Sequence, residues 1–365
     1  MRIGVPSETK TRERRVGITP AGVATLVQAG HQVLVQSGAG VGSGFADGQY
    51  SNAGATMVAM ADDAWSADMV VKVKEPVAAE YHFLRPGLIL FTYLHLAAER
   101  DLALRLVAGG CTAIAYETVQ VGRHLPLLEP MSEIAGRMAT IVGAHHLASA
   151  QGGSGVLIGG VPGVPPGRVV VVGGGTAGLN AARMALGLGA EVAVLDIDAE
   201  RLRAIDLALR GAVRTVFSSR QTLADMVPVA DLVIGSVLIP GAKAPKLITR
   251  DLLACMRPGS VLVDVAIDQG GCCETSRPTT HEAPVYTEAG IQHYCVTNMP
   301  GAYARTATLA LTSCTLPYIV RLAAAGLDGL SDLIAASPDL RAGLNIRAGE
   351  ILCPAVAAAL GSGMS

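Results

Sequence analysis

The sequence predicts an α/β protein built of two domains with parallel sheets. Three observations carry that prediction. The chain has 365 residues, too many for one domain of roughly 100–200 residues. Short β-rich apolar runs alternate with Ala- and Leu-rich helical stretches, the pattern that packs helices over parallel strands. Half of the residues are hydrophobic and only 16% are charged, the composition that strands buried on both faces produce.

Taken in order, residues 2–6, 33–36, 69–74, 88–91 and 112–115 read as strands, and 21–29 and 97–108 as helices. Thr19-Pro20 opens the first helix, with a capping hydroxyl followed by a proline whose missing N–H costs nothing there. A proline-rich patch over 125–130 interrupts the pattern, and Ser132 then reads as the N-cap of a long helix over 133–149. A Gly/Pro-rich loop over 152–167 leads into a second series, with strands at 168–172, 191–195, 231–235 and 260–265. A helix is expected over 307–324, followed by a weakly patterned tail. Domain crossings fall near residues 129 and 305.

Composition excludes several function classes. So apolar a chain is not intrinsically disordered. The longest apolar candidate, 155–182, is broken by Pro162, Pro165, Pro166 and Arg168, so no membrane span is expected. The charged start, from Glu8 to Arg15, carries no export signal, and seven cysteines without a C-x-x-C pair read as reduced thiols rather than disulfides or a metal site. A cytoplasmic protein is expected. The net charge of −2 and 4% aromatic content leave no footprint for nucleic acid.

One motif carries chemistry on its own. Val169-Val170-Val171-Val172 runs directly into Gly173-Gly174-Gly175-Thr176-Ala177-Gly178 and an Ala-rich helix. Gly173, Gly175 and Gly178 fit the dinucleotide fingerprint: one glycine for the tight turn, one for close approach of backbone to pyrophosphate, one for helix–strand packing. The pyrophosphate would sit on the helix N-terminus. Asp196, 18 residues after Gly178, ends the next strand. An acid there accepts from the adenosine ribose and repels a 2′-phosphate, which favours NAD, although Arg201 stands nearby. The competing reading is a glycine turn in an ordinary βα unit.

Five further positions invite chemistry. Lys72 and Lys74 alternate on an apolar run, either as a solvated strand edge or as an ammonium holding a carboxylate or polarising a carbonyl. His95 ends a strand, either as a satisfied core residue or as a titrating group. Arg15 closes a charge run that would ordinarily be solvated. Asp268 follows a buried strand, where ligands bind in parallel sheets or where a loop acid caps local N–H groups.

Longer stretches then carry a resemblance. These are Pro6-Ser7-Glu8-Thr9-Lys10 with Arg15-Val16, Lys72-Val73-Lys74-Glu75-Pro76, Phe91-Thr92-Tyr93-Leu94-His95-Leu96, Ala115-Tyr116-Glu117-Thr118, Pro130-Met131-Ser132-Glu133, Val263-Asp264-Val265-Ala266-Ile267-Asp268-Gln269-Gly270-Gly271 and Thr297-Asn298-Met299-Pro300-Gly301. The chain resembles the family of bacterial NAD-dependent L-alanine dehydrogenases and transhydrogenase alpha-subunits along nearly its whole length. The resemblance implies two Rossmann-like domains. An NAD-binding domain at 129–305 would be inserted into a split catalytic domain, 1–128 and 306–365, with the site in the cleft. It implies reversible NAD-dependent deamination of L-alanine to pyruvate and ammonia by a homo-oligomer, usually a hexamer, with no metal. Arg15 and Lys74 would hold the substrate, bidentately at Arg15, and His95 and Asp268 would form the acid/base pair. The cofactor would be held at Ser132, Asp196, Arg201, Ser218, Leu238, Ile267, Asp268, Asn298 and Met299 beside the three glycines. Lys72 would then be structural or peripheral.

Tyr303-Ala304-Arg305 departs from the family pattern, which commonly has proline at the second of these positions; its loss is expected to loosen the crossing. Three rivals remain. One is the soluble NAD-binding subunit of a transhydrogenase, which would not need Lys74, His95 and Asp268. Another is an opine- or saccharopine-type dehydrogenase for a bulkier amino acid. The third is a non-catalytic NAD-binding or regulatory protein on the same scaffold.

Overall fold

A computed structural model describes residues 1–237 and 244–361. The chain divides into two compact units, residues 1–131 with 303–365, and residues 132–302. These divisions lie three residues from the crossings expected at 128/129 and 305/306. Leu238 lies outside the described residues.

In the first unit the strands are β1 (Arg2–Val5), β2 (Gln32–Gln36), β3 (Thr56–Val58), β4 (Met69–Val71), β5 (Ile89–Thr92) and β6 (Thr112–Ala115). The second unit holds β7 (Arg168–Val172), β8 (Glu191–Asp196), β9 (Arg214–Phe217), β10 (Leu232–Gly235), β11 (Val261–Asp264), β12 (Val285–Glu288) and β13 (Ile291–Tyr294). The chain then returns to the first sheet as β14 (Leu344–Arg347) and β15 (Glu350–Ile351).

The first sheet has the order β15-β14-β6-β5-β4-β1-β2-β3. It is parallel from β6 to β3, with β14 and β15 added antiparallel. Its order reverses between β1 and β4. The second sheet, β12-β13-β11-β10-β7-β8-β9, reverses between β7 and β10 and is antiparallel only at β12. Chains leaving two strands at such a point diverge to opposite faces and open a crevice at the carboxyl edge.

Alternation explains the valine run. Val169 and Val171 enter one core of the second unit, with Ala181, Ala185 and Val194. Val170 and Val172 enter the other, with Val233, Leu253 and Leu262. Each such burial stabilises by about 1.5–3 kcal/mol, so both faces of β7 favour strand over any other use of these residues.

Several expectations change. The strand expected over 69–74 ends at Val71, so Lys72 and Lys74 stand on the segment leaving a central strand and not on a solvated edge. The helix expected over 133–149 is Glu129–His146; Pro130 fits inside its first turn because an N–H there lacks an intrahelical partner. Thr19 caps helix Pro20–Gln28 as expected, its hydroxyl accepting from Gly22 N–H at 3.3 Å. Strands β3, β9, β12 and β15 lie at sheet edges, where the apolar pattern is weak, and β13 and β14 each stand next to one of them. One helical stretch, 299–325, is long and apolar enough by composition to cross a membrane. Within it, helix Ala304–Ala325 buries Ala307, Leu311, Ile319 and Leu322, the behaviour of a core helix. Arg305 anchors its start, donating to the carbonyls of Ser43 and Gly44 at 3.2 Å each.

Candidate active site

In the first unit every candidate side chain lies on a segment that leaves the carboxyl end of a parallel strand. Arg15 follows β1, Lys74 follows β4 and His95 follows β5. The charge run around Arg15 is only partly solvated. Arg12 and Arg14 are exposed, whereas Glu13 and Arg15 are buried. Glu13 takes one edge of the Arg15 guanidinium, accepting from Nε at 2.7 Å and from Nη2 at 2.6 Å. Nη1 meets the Met131 sulfur at 3.1 Å. The Nε edge of Arg15 is thus occupied by Glu13.

His95 is held from two sides. Its φ is +51°, a conformation disfavoured for a side-chain-bearing residue. Glu117, on the turn after β6, accepts from His95 N–H at 2.6 Å and from Leu94 N–H at 3.2 Å, which holds that backbone in place. Glu75, after β4, contacts Nδ1 of the ring at 3.2 Å. Burial alone would raise the Glu75 carboxyl, but the hydrogen bond from His95, the charge of Lys74 and a hydrogen bond from Lys10 hold it well below the usual range. An ionised Glu75 can only accept, so when His95 is neutral its proton belongs on Nδ1 and the lone pair on Nε2. Burial lowers the His95 pKa and Lys74 opposes protonation; the Glu75 hydrogen bond and the charge of Glu117 outweigh them and set it above 6.5. The Tyr93 ring stacks on the imidazole at 5.8 Å, and its hydroxyl donates to the Leu127 carbonyl. The side chain of His95 is still 38% exposed, so it is no satisfied core histidine.

The sequence reading did not single out Glu13, Glu75 or Glu117. Glu75 and Glu117 sit inside the stretches that carry the resemblance, yet each reaches its partner from another strand end, and no spacing announces that.

The second unit gathers its candidates at the carboxyl edge of its own sheet. Gly173 leaves β7 at φ +100°. A Cβ at Gly178 would lie 1.9 Å from the Gly173 carbonyl oxygen, so helix Thr176–Gly187 packs on the turn only without a side chain. Ser236, after β10, locks the turn by donating to that carbonyl at 2.7 Å. Gly175 is the N-cap and makes no side-chain capping hydrogen bond. A Cβ there would meet nothing within 4 Å, so the space beside this helix start is open. This fits the pyrophosphate of a dinucleotide. Asp196 ends β8, accepts from Gly174 N–H at 2.6 Å and pairs with Arg201 at 3.2 Å. Ser218 follows β9 and donates its N–H to the Asp196 carbonyl at 2.9 Å.

Ile267 and Asp268 lie on the turn Val265–Gln269 after β11, the isoleucine buried and the aspartate exposed. Asn298, at φ +56°, and the buried Met299 follow β13. Ser132 stands one turn before Gly136, where helix Glu129–His146 rests on the carbonyl of Ala177. Among the described residues no cluster of His, Cys, Asp or Glu suits a metal.

A glycine turn at the reversal point of a doubly wound sheet, with an acid ending the next strand, defines a dinucleotide-binding α/β protein. Comparison narrows the class. The descriptions "Alanine dehydrogenase/PNT, N-terminal domain" and "Alanine dehydrogenase/PNT, C-terminal domain" match residues 4–135 and 139–354. The chain is 53% identical to the alanine dehydrogenase of Bacillus subtilis (strain 168) over 99% of its own length and 95% of that relative. It is 54% identical to the alanine dehydrogenase of Mycobacterium tuberculosis, over 99% and 97% respectively. A solved L-alanine dehydrogenase superposes with a TM-score of 0.95 at 51% identity, over 99% of each chain. A transhydrogenase from Sinorhizobium meliloti superposes with a TM-score of 0.80 at 26% identity, over 97% of this chain and 100% of that one. The chain belongs to the alanine dehydrogenase/PNT family.

Proposed function

We propose that the chain catalyses the reversible NAD-dependent oxidative deamination of L-alanine to pyruvate and ammonia, in the cytoplasm and as a homohexamer. The observation that carries this reading is the 3.2 Å contact between His95 Nδ1 and the Glu75 carboxylate, on the segment that also carries Lys74. Bare hydride exchange between two nicotinamides needs no such base.

When bound, NAD would supply the acceptor for the Cα hydride, which allows the amino acid to be oxidised to its imine. Gly173, Gly175 and Gly178 would hold its pyrophosphate, and Asp196 with Arg201 its adenosine ribose. Ser132, Ser218, Ile267, Asn298 and Met299 would complete the cofactor site. Arg15 and Lys74 bind the substrate carboxylate and the carbon–oxygen group that forms, the ammonium of Lys74 stabilising developing negative charge. Nε2 of His95 takes a proton from the water that attacks the imine, and its Nδ1–H stays on Glu75. Asp268 supplies the second acid/base function beside the nicotinamide.

The pH dependence follows from the sign of the His95 shift. Deamination needs neutral His95, so kcat/KM for alanine should rise with pH through a midpoint above 6.5. Amination of pyruvate needs the protonated form and should fall over the same range. Glu75→Gln removes the charge that raises the His95 pKa and should move both midpoints to lower pH. Unchanged profiles in that variant would detach Glu75 from the mechanism.

The deciding assay follows absorbance at 340 nm with NAD and a panel of L-amino acids at alkaline pH. Alanine alone should produce NADH. Silence on every amino acid with NAD still bound would favour a transhydrogenase-type subunit, and a response to bulkier amino acids would favour an opine-type enzyme. Light scattering after gel filtration should give six times the mass of the chain.

A further inference from the structure

Lys72 has no role in the steps above, yet it is among the largest fully buried side chains in the described structure. Its ammonium donates to Glu80 Oε1 at 2.8 Å and lies 3.5 Å from Glu8 Oε2. The Trp65 ring covers it with its centroid at 5.7 Å. Both carboxylates also grip backbone. Glu8 accepts from Val73 N–H at 2.6 Å and from Lys74 N–H at 3.3 Å. The second oxygen of Glu80 accepts from Val77 N–H at 3.0 Å. The three charges thus hold the main chain immediately before and immediately after Glu75-Pro76.

We propose that Lys72, Glu8 and Glu80 form a buried charge clamp that positions residues 73–77, and through them Lys74 and the Glu75–His95 pair. The clamp rests on the site assignment made above. Sheet order makes it possible: β1 and β4 are neighbours, so Glu8 and Lys72 leave adjacent strands at the same edge. Lys72 is the counter-charge that lets two acids share one interior. Burial pushes the Glu8 carboxyl up, with Glu13 and Glu80 adding to it, while Lys72 and the Val73 N–H hold it down. A buried ion pair of this kind is weak evidence for stability alone, since apolar replacements often serve as well. Its value here is in fixing the segment that carries Lys74 and Glu75.

The test compares wild type with Lys72→Met and with Glu80→Gln, which keeps an acceptor for Val77 N–H and decides the matter if Lys72→Met does not fold. Loosening the segment should raise KM for alanine about tenfold while NADH affinity stays within about twofold, since small misplacements of binding groups are costly. A second readout needs no turnover: the rate at which diethyl pyrocarbonate modifies His95 is followed against pH by peptide mass spectrometry. Glu75, Glu117 and Lys74 surround the imidazole, Tyr93 stacks on it, and Lys10 acts on it through Glu75. The modification midpoint should move to lower pH in both variants as the Glu75 contact slackens. A purely structural role would lower the melting temperature and leave the midpoint unmoved, and that result overturns the clamp. If the wild type oxidises no amino acid while the His95 midpoint still shifts, the function fails and the clamp stands.

Discussion

His95→Asn lowers kcat/KM for alanine by about 10²–10⁴-fold, the usual contribution of a positioned general base, while NADH affinity is unchanged. His95 lies in the first unit, whereas the cofactor positions assigned above belong to the second, so the loss should fall on turnover. Three features confine the loss to the chemistry of the imidazole. Its backbone sits at φ +51°, a conformation that asparagine tolerates well, so the variant should fold. Its Nδ1–H is committed to Glu75, which leaves Nε2 as the one basic atom of the ring. Glu117 holds the N–H groups of residues 94 and 95, so a replacement amide stays near the same place without its basicity. Steady-state rates at several pH values check this. Retention of full turnover, with a rate that still rises through the wild-type midpoint, would remove His95 from the mechanism.

Gly178→Ala should cost the protein its dinucleotide. The new Cβ would lie 1.9 Å from the Gly173 carbonyl and 2.9 Å from Ser236 Oγ. The carbonyl is backbone locked by Ser236 and cannot step aside without opening the turn. Overpacking costs about 1–3 kcal/mol or more, roughly a five- to hundredfold loss of affinity, and so tight a contact belongs at the upper end. Gly187→Ala is the matched control. It lies in the last position of the same helix, and a Cβ there meets nothing within 4 Å. That variant should bind NADH normally and gain about 0.4–1 kcal/mol of stability from a less flexible unfolded chain. NADH fluorescence titration and thermal melts separate the two. Normal affinity in Gly178→Ala would mean that the turn is not where pyrophosphate binds.

Much of this protein is legible along the chain. The valine run, the glycine spacing, the acid ending β8 and the Thr19-Pro20 cap are signals a few residues long, and each reports a local requirement of backbone or burial. Edge strands escape because one neighbour and one half-covered face impose little pattern. β3 and β9 carry no fully buried residue, and the edge strand β15 hides with its inner neighbour β14 in a tail of ordinary composition. The strand expected through Lys74 was extended too far for a related reason. Lysine, valine and lysine alternate as a strand would, but pairing stops at Val71, and Lys72 is buried by charge partners rather than by a sheet face.

The residues of this chain by themselves determined the two α/β layers, the dinucleotide turn and which side chains were worth suspecting. Only tertiary structure decided what those side chains do to one another. Glu75 meets His95 across 20 positions, Glu117 meets it across 22, and Glu8 reaches Val73 across 65. The order β6-β5-β4-β1 brings those strand ends side by side. Hydrophobic periodicity is a property of neighbours in sequence, whereas the pKa and orientation of a buried charge depend on neighbours in space.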